Sequence, residues 1–461
     1  MTFFRAFQKA ASSLLLLLLV ALAARGAYFL HRESLAPHFA LASVPFLYEP
    51  GNIAFSLATG SGFSSPFRVS TGPTAWEAPV YPLLLSFIFR LFGTYTFAAY
   101  IAAASFNILC SALVCVPLYC TGTIVAGRGA GLLAAWLWAV FPNAFVIPTD
   151  WIWDTCLSAL LVAVILWATL AIDGSVRRLD WIAYGLLWGF ALMTNPTLLS
   201  VLFVLLVWFA WRASRKDRDA ASILIRRIAL SVIVMAACCV PWTIRNYAVF
   251  HSFIPFRSVL GLQLWLGNND AYKDHFPGQL HPLDNSAERA QYVELGEVAY
   301  MHQKRDLALR WIVSHPHREA QLFVERFVAL WAGTTSPWKD FLASDSALIR
   351  YVFAANILAA FGALAGIVIL IVRRNQFWIP VAAFPAIFPF AFYFSQALLR
   401  YRLPIDPAVM LLCAVAINAS AQERRNSTPN RTFVPSQLLR NCAERVRSAG
   451  KKPRESARAM E

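Results

Sequence analysis

Apolar runs of helical length alternate with polar stretches along most of this chain. Ten of them read as spanning helices: about Ala11 to Leu30, Tyr95 to Thr121, Ala130 to Pro148, Thr155 to Ile172, Trp181 to Thr194, Thr197 to Trp211, Ile228 to Tyr247, Ala347 to Val372, Phe377 to Phe394 and Leu403 to Ala419. Crossing a bilayer takes roughly 20 apolar residues, fewer where neighbouring helices shelter the segment. The fifth and sixth are short, and Asn195-Pro196 between them fits either a tight turn or a half-buried re-entrant pair. Two polar segments are long, about 31–79 and 248–346. In the first, Asn52 to Thr59 reads as a short helix ending at Gly60, and Tyr81 to Phe92, just beyond the segment, as a helix lying along the interface. In the second, Asn285 with Glu288 three residues on resembles a capping box and starts a helix expected to reach Ser314. His315-Pro316 interrupts it, and an amphipathic stretch follows to Trp331. No internal repeat of fixed period occurs. Residues 1–420 form the spanning domain, and 421–461 a basic tail whose polarity predicts disorder.

Charge gives these spans their sides. With the amino terminus inside, the inner segments carry 23 Lys+Arg against 8 Asp+Glu, while the remainder carries 17 of each. Short loops rich in Lys and Arg stay in the cytoplasm during insertion, so both termini are predicted cytoplasmic and the chemistry is sought on the neutral, extracytoplasmic side. The expected setting is multi-pass in the cell's inner membrane, among its lipids. Arg5 and Lys9 before Leu14 to Val20, with Ala21-Leu22-Ala23, also fit a cleavable signal peptide. Continued apolar character through Ala27 to Leu30 favours an uncleaved helix, with Arg25 snorkelling near its outer end.

With 58% hydrophobic and 14% charged residues, the composition agrees with an all-α polytopic membrane protein and excludes an ordinary soluble domain. The basic residues lie in loops and tail rather than on one folded face, so nucleic acid is not an expected partner. Seven of the eight cysteines fall in or beside spans and none forms C-x-x-C, so neither a disulfide framework nor a zinc motif is read.

Four groups of outer residues could carry chemistry. Glu49, among Phe46, Tyr48 and Pro50, is a carboxylate whose apolar neighbours would raise its proton affinity and suit it to general-base work, although a lone loop carboxylate is more often solvated. Asp150 and Asp154 bracket Trp151-Ile152-Trp153; on one helix that spacing would put both acids on one face, to share a proton, a cation or sugar hydroxyls, and the plainer alternative is an interfacial tryptophan belt. Arg245, Arg400 and Arg402 sit at outer span ends, where guanidinium groups either snorkel or fork a phosphate. All eight histidines fall outside, and no pair has convincing ligand spacing.

At these motifs the chain resembles the multi-spanning polyprenyl-phosphate-sugar glycosyltransferases, the family-39 and protein O-mannosyltransferase superfamily, including aminoarabinose transferases. The resemblance covers Arg25 to about Ala414. It rests on Tyr48-Glu49 with Ala54 to Gly60, Pro73-Thr74-Ala75-Trp76-Glu77-Ala78-Pro79, Trp153-Asp154-Thr155, Pro241-Trp242 to Asn246, Leu266-Gly267-Asn268-Asn269 and Arg400-Tyr401-Arg402-Leu403-Pro404. It implies a GT-C-like bundle of about ten transmembrane helices with interfacial helices in the outer loops. It also implies inverting transfer of a sugar from a polyprenyl-phosphate donor to an acceptor that is a lipid, a glycan or a protein. Glu49 would then be the base and Asp154 a second acid, with Arg245, Arg400 and Arg402 on the donor phosphate. Tyr48, Trp76, Glu77, Asp150, Asn268 and Asn269 would line the substrates, and the need for a divalent cation stays open. Two positions depart from the pattern: many relatives have an Asp or an Asp-Glu pair where Tyr48 precedes the single Glu49, and a basic residue after the Ala-Trp where Glu77 stands. The second departure puts a phosphate contact there in doubt and offers a second acid. The rival classes are a lipid-linked sugar flippase or transporter, a polysaccharide polymerase or ligase, and an inactive scaffold.

Overall fold

The computed structural model describes residues 14–35, 46–272, 277–335, 340, 342, 344 and 346–427. Their regular structure is all helical, with a single isolated bridge between Ser64 and Pro73 in place of any sheet among the described residues. Each of the ten expected apolar segments contains helix. Six helices are long and apolar enough to cross a membrane, Leu14–Ser34, Phe97–Ala126, Pro196–Ser214, Arg218–Phe250, Ala347–Val372 and Leu399–Gln422, and the pair Arg128–Val140 with Pro142–Asp150, bent by 42°, makes up to seven. Thr155–Ala171 and Trp378–Tyr393 are apolar but shorter. Thr155–Ala171 lies in the main apolar core, where Ala159, Val162, Ile165 and Leu166 are buried, so packing against other helices shelters what its length does not.

The bend in the third span explains a second feature. The helix Arg128–Val140 stops at Phe141, whose amide still reaches the Trp138 carbonyl at 3.3 Å but whose extended backbone ends the ladder and leaves carbonyls of the last turn to other donors. Arg25 from the first span meets that need, donating to the Ala139 and Trp138 carbonyls at 3.2 and 3.4 Å and to Ser111 Oγ at 2.9 Å. It is fully buried, so the expected snorkelling gives way to a guanidinium that joins three spans.

Between the fifth and sixth apolar segments, the Asn195 side chain accepts from Thr197 N at 3.2 Å and caps a short turn, Pro196–Leu198, one of the two arrangements that the Asn-Pro pair fits. In the second long polar segment Asn285 caps Ser286–Leu295, accepting from the amides of Ala287 and Glu288. The expected continuous helix to Ser314 is broken, because Gly296 takes a φ of +75° and a new helix runs Glu297–Ser314. Glu288 closes no box and instead accepts from Lys304 and Tyr300 at 2.6 and 2.8 Å. His315-Pro316 breaks the chain as expected, and Pro316–Ala332 follows. The last helix continues to Ser427, into the segment expected to be disordered, while 428–461 lie outside the described residues.

Candidate active site

The helix Glu49–Ala58 begins at Glu49, with Pro50 and Gly51 completing its first turn. That turn lies against Phe46 so closely that a Cβ on Gly51 would stand 2.0 Å from the Phe46 carbonyl oxygen, so only glycine fits. Asn52 anchors the same turn, donating to the Leu47 and Pro66 carbonyls at 3.2 and 3.1 Å. Glu49 is thereby fixed and buried at 6 % exposure. Loss of water pushes its pKa up to about 7, against the opposing pull of backbone hydrogen bonding and the Arg400 charge, with Asp284 adding a little to the rise.

Two further carboxylates share this electrostatic environment. Glu77 pairs with Arg257 at 3.5 Å, yet burial dominates and its pKa rises to about 8, with the Asp154 and Glu49 charges pushing the same way. Asp154 immediately precedes Thr155–Ala171 without capping it and accepts from Ser158 Oγ at 3.0 Å; burial raises its pKa against the pull of Arg257, Ser158 and Arg400. Asp150 is not its partner. The preceding helix ends at Asp150 and Trp151 is extended, so the two acids fall on separate helices and Asp150 turns to Arg32, 3.5 Å away. The shared-face reading of the pair fails because no helix connects them.

Arg400 lies between two indoles, 4.3 Å from the Trp151 ring centre and 4.2 Å from that of Trp153, with the Tyr401 ring at 5.2 Å. Tyr48 extends the aromatic wall, its ring 5.5 and 5.8 Å from Trp151 and Trp153. The two tryptophans expected as a membrane belt thus clasp a cation. Among the described residues, the buried Nε and Nη1 of Arg400 have no hydrogen-bond partner. A guanidinium held in an aromatic clasp with unmet donors is the arrangement that an incoming anion completes.

The other two arginines expected on the phosphate are committed elsewhere. Arg245 donates to the Thr74 and Phe63 carbonyls at 2.7 and 2.8 Å and to Asn246 Oδ1 at 3.0 Å, which fastens the first outer segment to the end of Arg218–Phe250. Arg402 is fully buried, with Nε 2.6 Å from Asp406 Oδ1 and Nη1 2.7 Å from the Trp331 carbonyl. Asp406 also accepts from Asn143, which exchanges hydrogen bonds with Asn356, so Arg402 belongs to a polar knot inside the helices. Asn268 and Asn269 are buried as well. Asn268 donates to the Phe394 carbonyl at 2.8 Å and accepts from Arg326 at 3.0 Å, and Asn269 caps the turn at Ala271; both hold backbone rather than a pocket wall. Trp76, at 2 % exposure, packs against Phe67, Tyr292 and His281.

Sequence reading missed Arg257, which faces Glu77, and His281, whose Nε2 lies 3.3 Å from Glu49 Oε1. Each is a single residue in a long loop, about 180 and 230 positions from its partner on the numbering, and no local spacing marks such a contact. Also missed was Glu297, a buried side chain that accepts from Thr74 Oγ1, Ala75 N, Ser258 Oγ and Tyr292 OH at 2.5, 2.8, 2.6 and 2.6 Å. Among the described residues no group of three or more His, Cys, Asp and Glu side chains is placed to hold a metal ion.

Residues 76–244 match the model of the dolichyl-phosphate-mannose-protein mannosyltransferase family. The match is of the kind that the motif order resembles, and it includes Trp76, Glu77, Asp150 and Asp154 while leaving Glu49, Arg245 and Arg400 outside it. The fold is similar to that of the archaeal oligosaccharyltransferase AglB from Archaeoglobus fulgidus in complex with an inhibitory peptide and a dolichol-phosphate, at 14% identity and a TM-score of 0.49, covering 89% of this chain and 50% of that one. A complex of the Archaeoglobus fulgidus oligosaccharyltransferase with zinc and sulfate matches at 14% identity and a TM-score of 0.48, covering 82% and 45%. The chain spans about half the length of these solved structures. No curated protein matches it.

Proposed function

We propose that this protein is an inverting membrane glycosyltransferase that moves a sugar from a polyprenyl-phosphate donor to an acceptor on the extracytoplasmic face, with both termini in the cytoplasm. The observation that carries the reading is the clasped Arg400, with two buried donors unmet, within electrostatic reach of Glu49 and Asp154. An arginine of this kind holds the donor phosphate and stabilises the charge that develops on it as the sugar leaves. The acceptor attacks the anomeric carbon from the opposite side, and its proton passes to Glu49. A carboxyl group titrating near 7 is a base matched to neutral pH. Burial raises Glu77 as well, and a charged Glu49 pushes it further up, so ionising Glu49 favours a protonated Glu77 beside it. Asp154 and Arg257 then orient the reactants, and Trp151, Trp153 and Tyr48 offer rings to a sugar face. The match of residues 76–244 to a dolichyl-phosphate-mannose-protein mannosyltransferase model supports this class of donor.

The test is a panel of polyprenyl-phosphate sugars offered to the purified, lipid-reconstituted protein, with release of polyprenyl phosphate followed by mass spectrometry. Consumption of at least one donor by the parent, and loss of that turnover in Arg400→Ala, is the expected result. Equal turnover in parent and Arg400→Ala would remove Arg400 from donor binding.

A further inference from the structure

His281 stands on a turn that the second outer segment holds from several directions. Its amide donates to the Gly278 carbonyl at 3.0 Å, and its carbonyl accepts from the amides of Asp284 and Asn285 at 3.1 and 2.9 Å. Asn285 Nδ2 donates to the Gln279 carbonyl, and Arg289 to those of Pro282 and Leu283. The imidazole is buried at 3 % exposure and meets Trp76 and Phe67 edge to face, at ring separations of 5.6 and 6.3 Å. Both its position and its plane are therefore fixed.

The two ring nitrogens have different tasks. Nδ1 accepts the Leu283 amide proton at 3.1 Å, so Nδ1 carries no hydrogen. Burial drives the pKa of the ring down to about 3, so near neutral pH it is uncharged. A neutral imidazole with a bare Nδ1 keeps its single hydrogen on Nε2, the nitrogen 3.3 Å from Glu49 Oε1. We infer that His281 is a positioning residue for Glu49, its Nε2–H engaging Oε1 so that the second outer segment orients the carboxylate and favours its ionised form.

The inference rests on the reading of Glu49 as the base. His281 does not take the acceptor's proton: with Nδ1 filled by an amide and Nε2 already protonated, it has no free lone pair, and the proton stays on Glu49. Because His281 is uncharged, it acts on Glu49 through that hydrogen, while among the described residues Arg400, Asp284 and Glu77 are charged or titratable groups whose fields reach the carboxylate. Losing a donor to a charged acceptor should move the Glu49 titration upward by about one pH unit, or about tenfold less ionised base below it.

Two substitutions separate the tasks of the ring. His281→Asn can still accept from Leu283 N but cannot reach Glu49, whereas His281→Gln can place an amide N–H near the position of Nε2. Rate profiles from pH 5 to 9 on a donor that the parent consumes are compared for the parent, both variants and Glu49→Gln, with thermal unfolding recorded to confirm folding. In the parent the rate should rise with pH as Glu49 ionises. In His281→Asn that rise should shift about one unit to higher pH, and His281→Gln should restore most of the shift. An unshifted rise in His281→Asn, or equal profiles for Asn and Gln, would overturn the positioning role. Should Glu49→Gln keep both the parental rate and the rise, the base assignment itself fails, a result distinct from failure at His281.

Discussion

At the scale of single residues, what divides the arginines is what their guanidinium groups already hold. Arg400 offers Nε and Nη1, while Arg245 holds carbonyls and Arg402, whose buried Nη2 is also unmet, is tied by Nε and Nη1 to Asp406 and the Trp331 carbonyl. Arg400→Ala should therefore cost about 1.5 to 3 kcal/mol in donor binding or transition-state energy, roughly 10- to 150-fold, and Arg400→Lys should recover only part because the planar fork and ring stacking are lost. Measured donor kinetics check this. Arg402→Ala should act on folding instead, since removing it strands Asp406 among the helices; a loss on the order of 3 to 5 kcal/mol should appear as a lowered midpoint of thermal unfolding. A protein as stable as the parent would show that Asp406 is neutralised in some other way. The sequence offered Glu49, Glu77, Asp154 and Arg400 as candidate acids and cations, but three arginines at span ends look alike until their partners are known. Which one stays open depends on groups that distant segments present, the Thr74 and Phe63 carbonyls to Arg245 and the Trp331 carbonyl and Asp406 to Arg402.

At the scale of elements, helical continuity holds over spans such as Ala347–Val372 and breaks at two places that matter for the site. The four-residue spacing of Asp150 and Asp154 suggested a shared face, but the helix ends at Asp150 after Pro148 and restarts beyond Asp154. The long outer helix was drawn through Gly296, where positive φ breaks it and brings Glu297 to the start of a new helix. Glu297 then joins the first outer segment, at Thr74 and Ala75, to Ser258 and Tyr292 of the second. Glu297→Ala leaves four donors unmet in a buried place, so a destabilisation of roughly 3 kcal/mol or more is expected, and limited proteolysis should then cut the outer segments faster. Glu297→Gln, which keeps an acceptor oxygen, should be milder. Unchanged proteolysis of the alanine variant would mean that the two segments are joined by other contacts.

At the scale of the whole molecule, the charge asymmetry had already sorted the residues that the fold brings together. Glu49, Glu77, Asp154, Arg257, His281 and Arg400 come from segments assigned to one side, while the Arg212 contacts to Asp173 and Gln376 join segments assigned to the other. That the apolar segments are helical was legible from their length, while the count of ten spans was not reached: six helices, or up to seven with the bent pair, are long and apolar enough to cross among the described residues. Which of the shorter ones cross was not legible, because sheltering depends on packing that composition does not report. The orientation predicts that, in intact cells of a cysteine-free variant, Ser286→Cys is labelled from outside and Ser214→Cys is not. The reverse pattern would invert the topology and place the site in the cytoplasm. The account as a whole turns on Glu49 as the base, and Glu49→Gln tests it most directly because the amide keeps shape and hydrogen bonding but cannot take the acceptor's proton. With a consumed donor and a matched acceptor, turnover should fall roughly 10²- to 10⁴-fold while donor binding persists; a folded, donor-binding Glu49→Gln protein that transfers sugar at the parental rate would contradict the account.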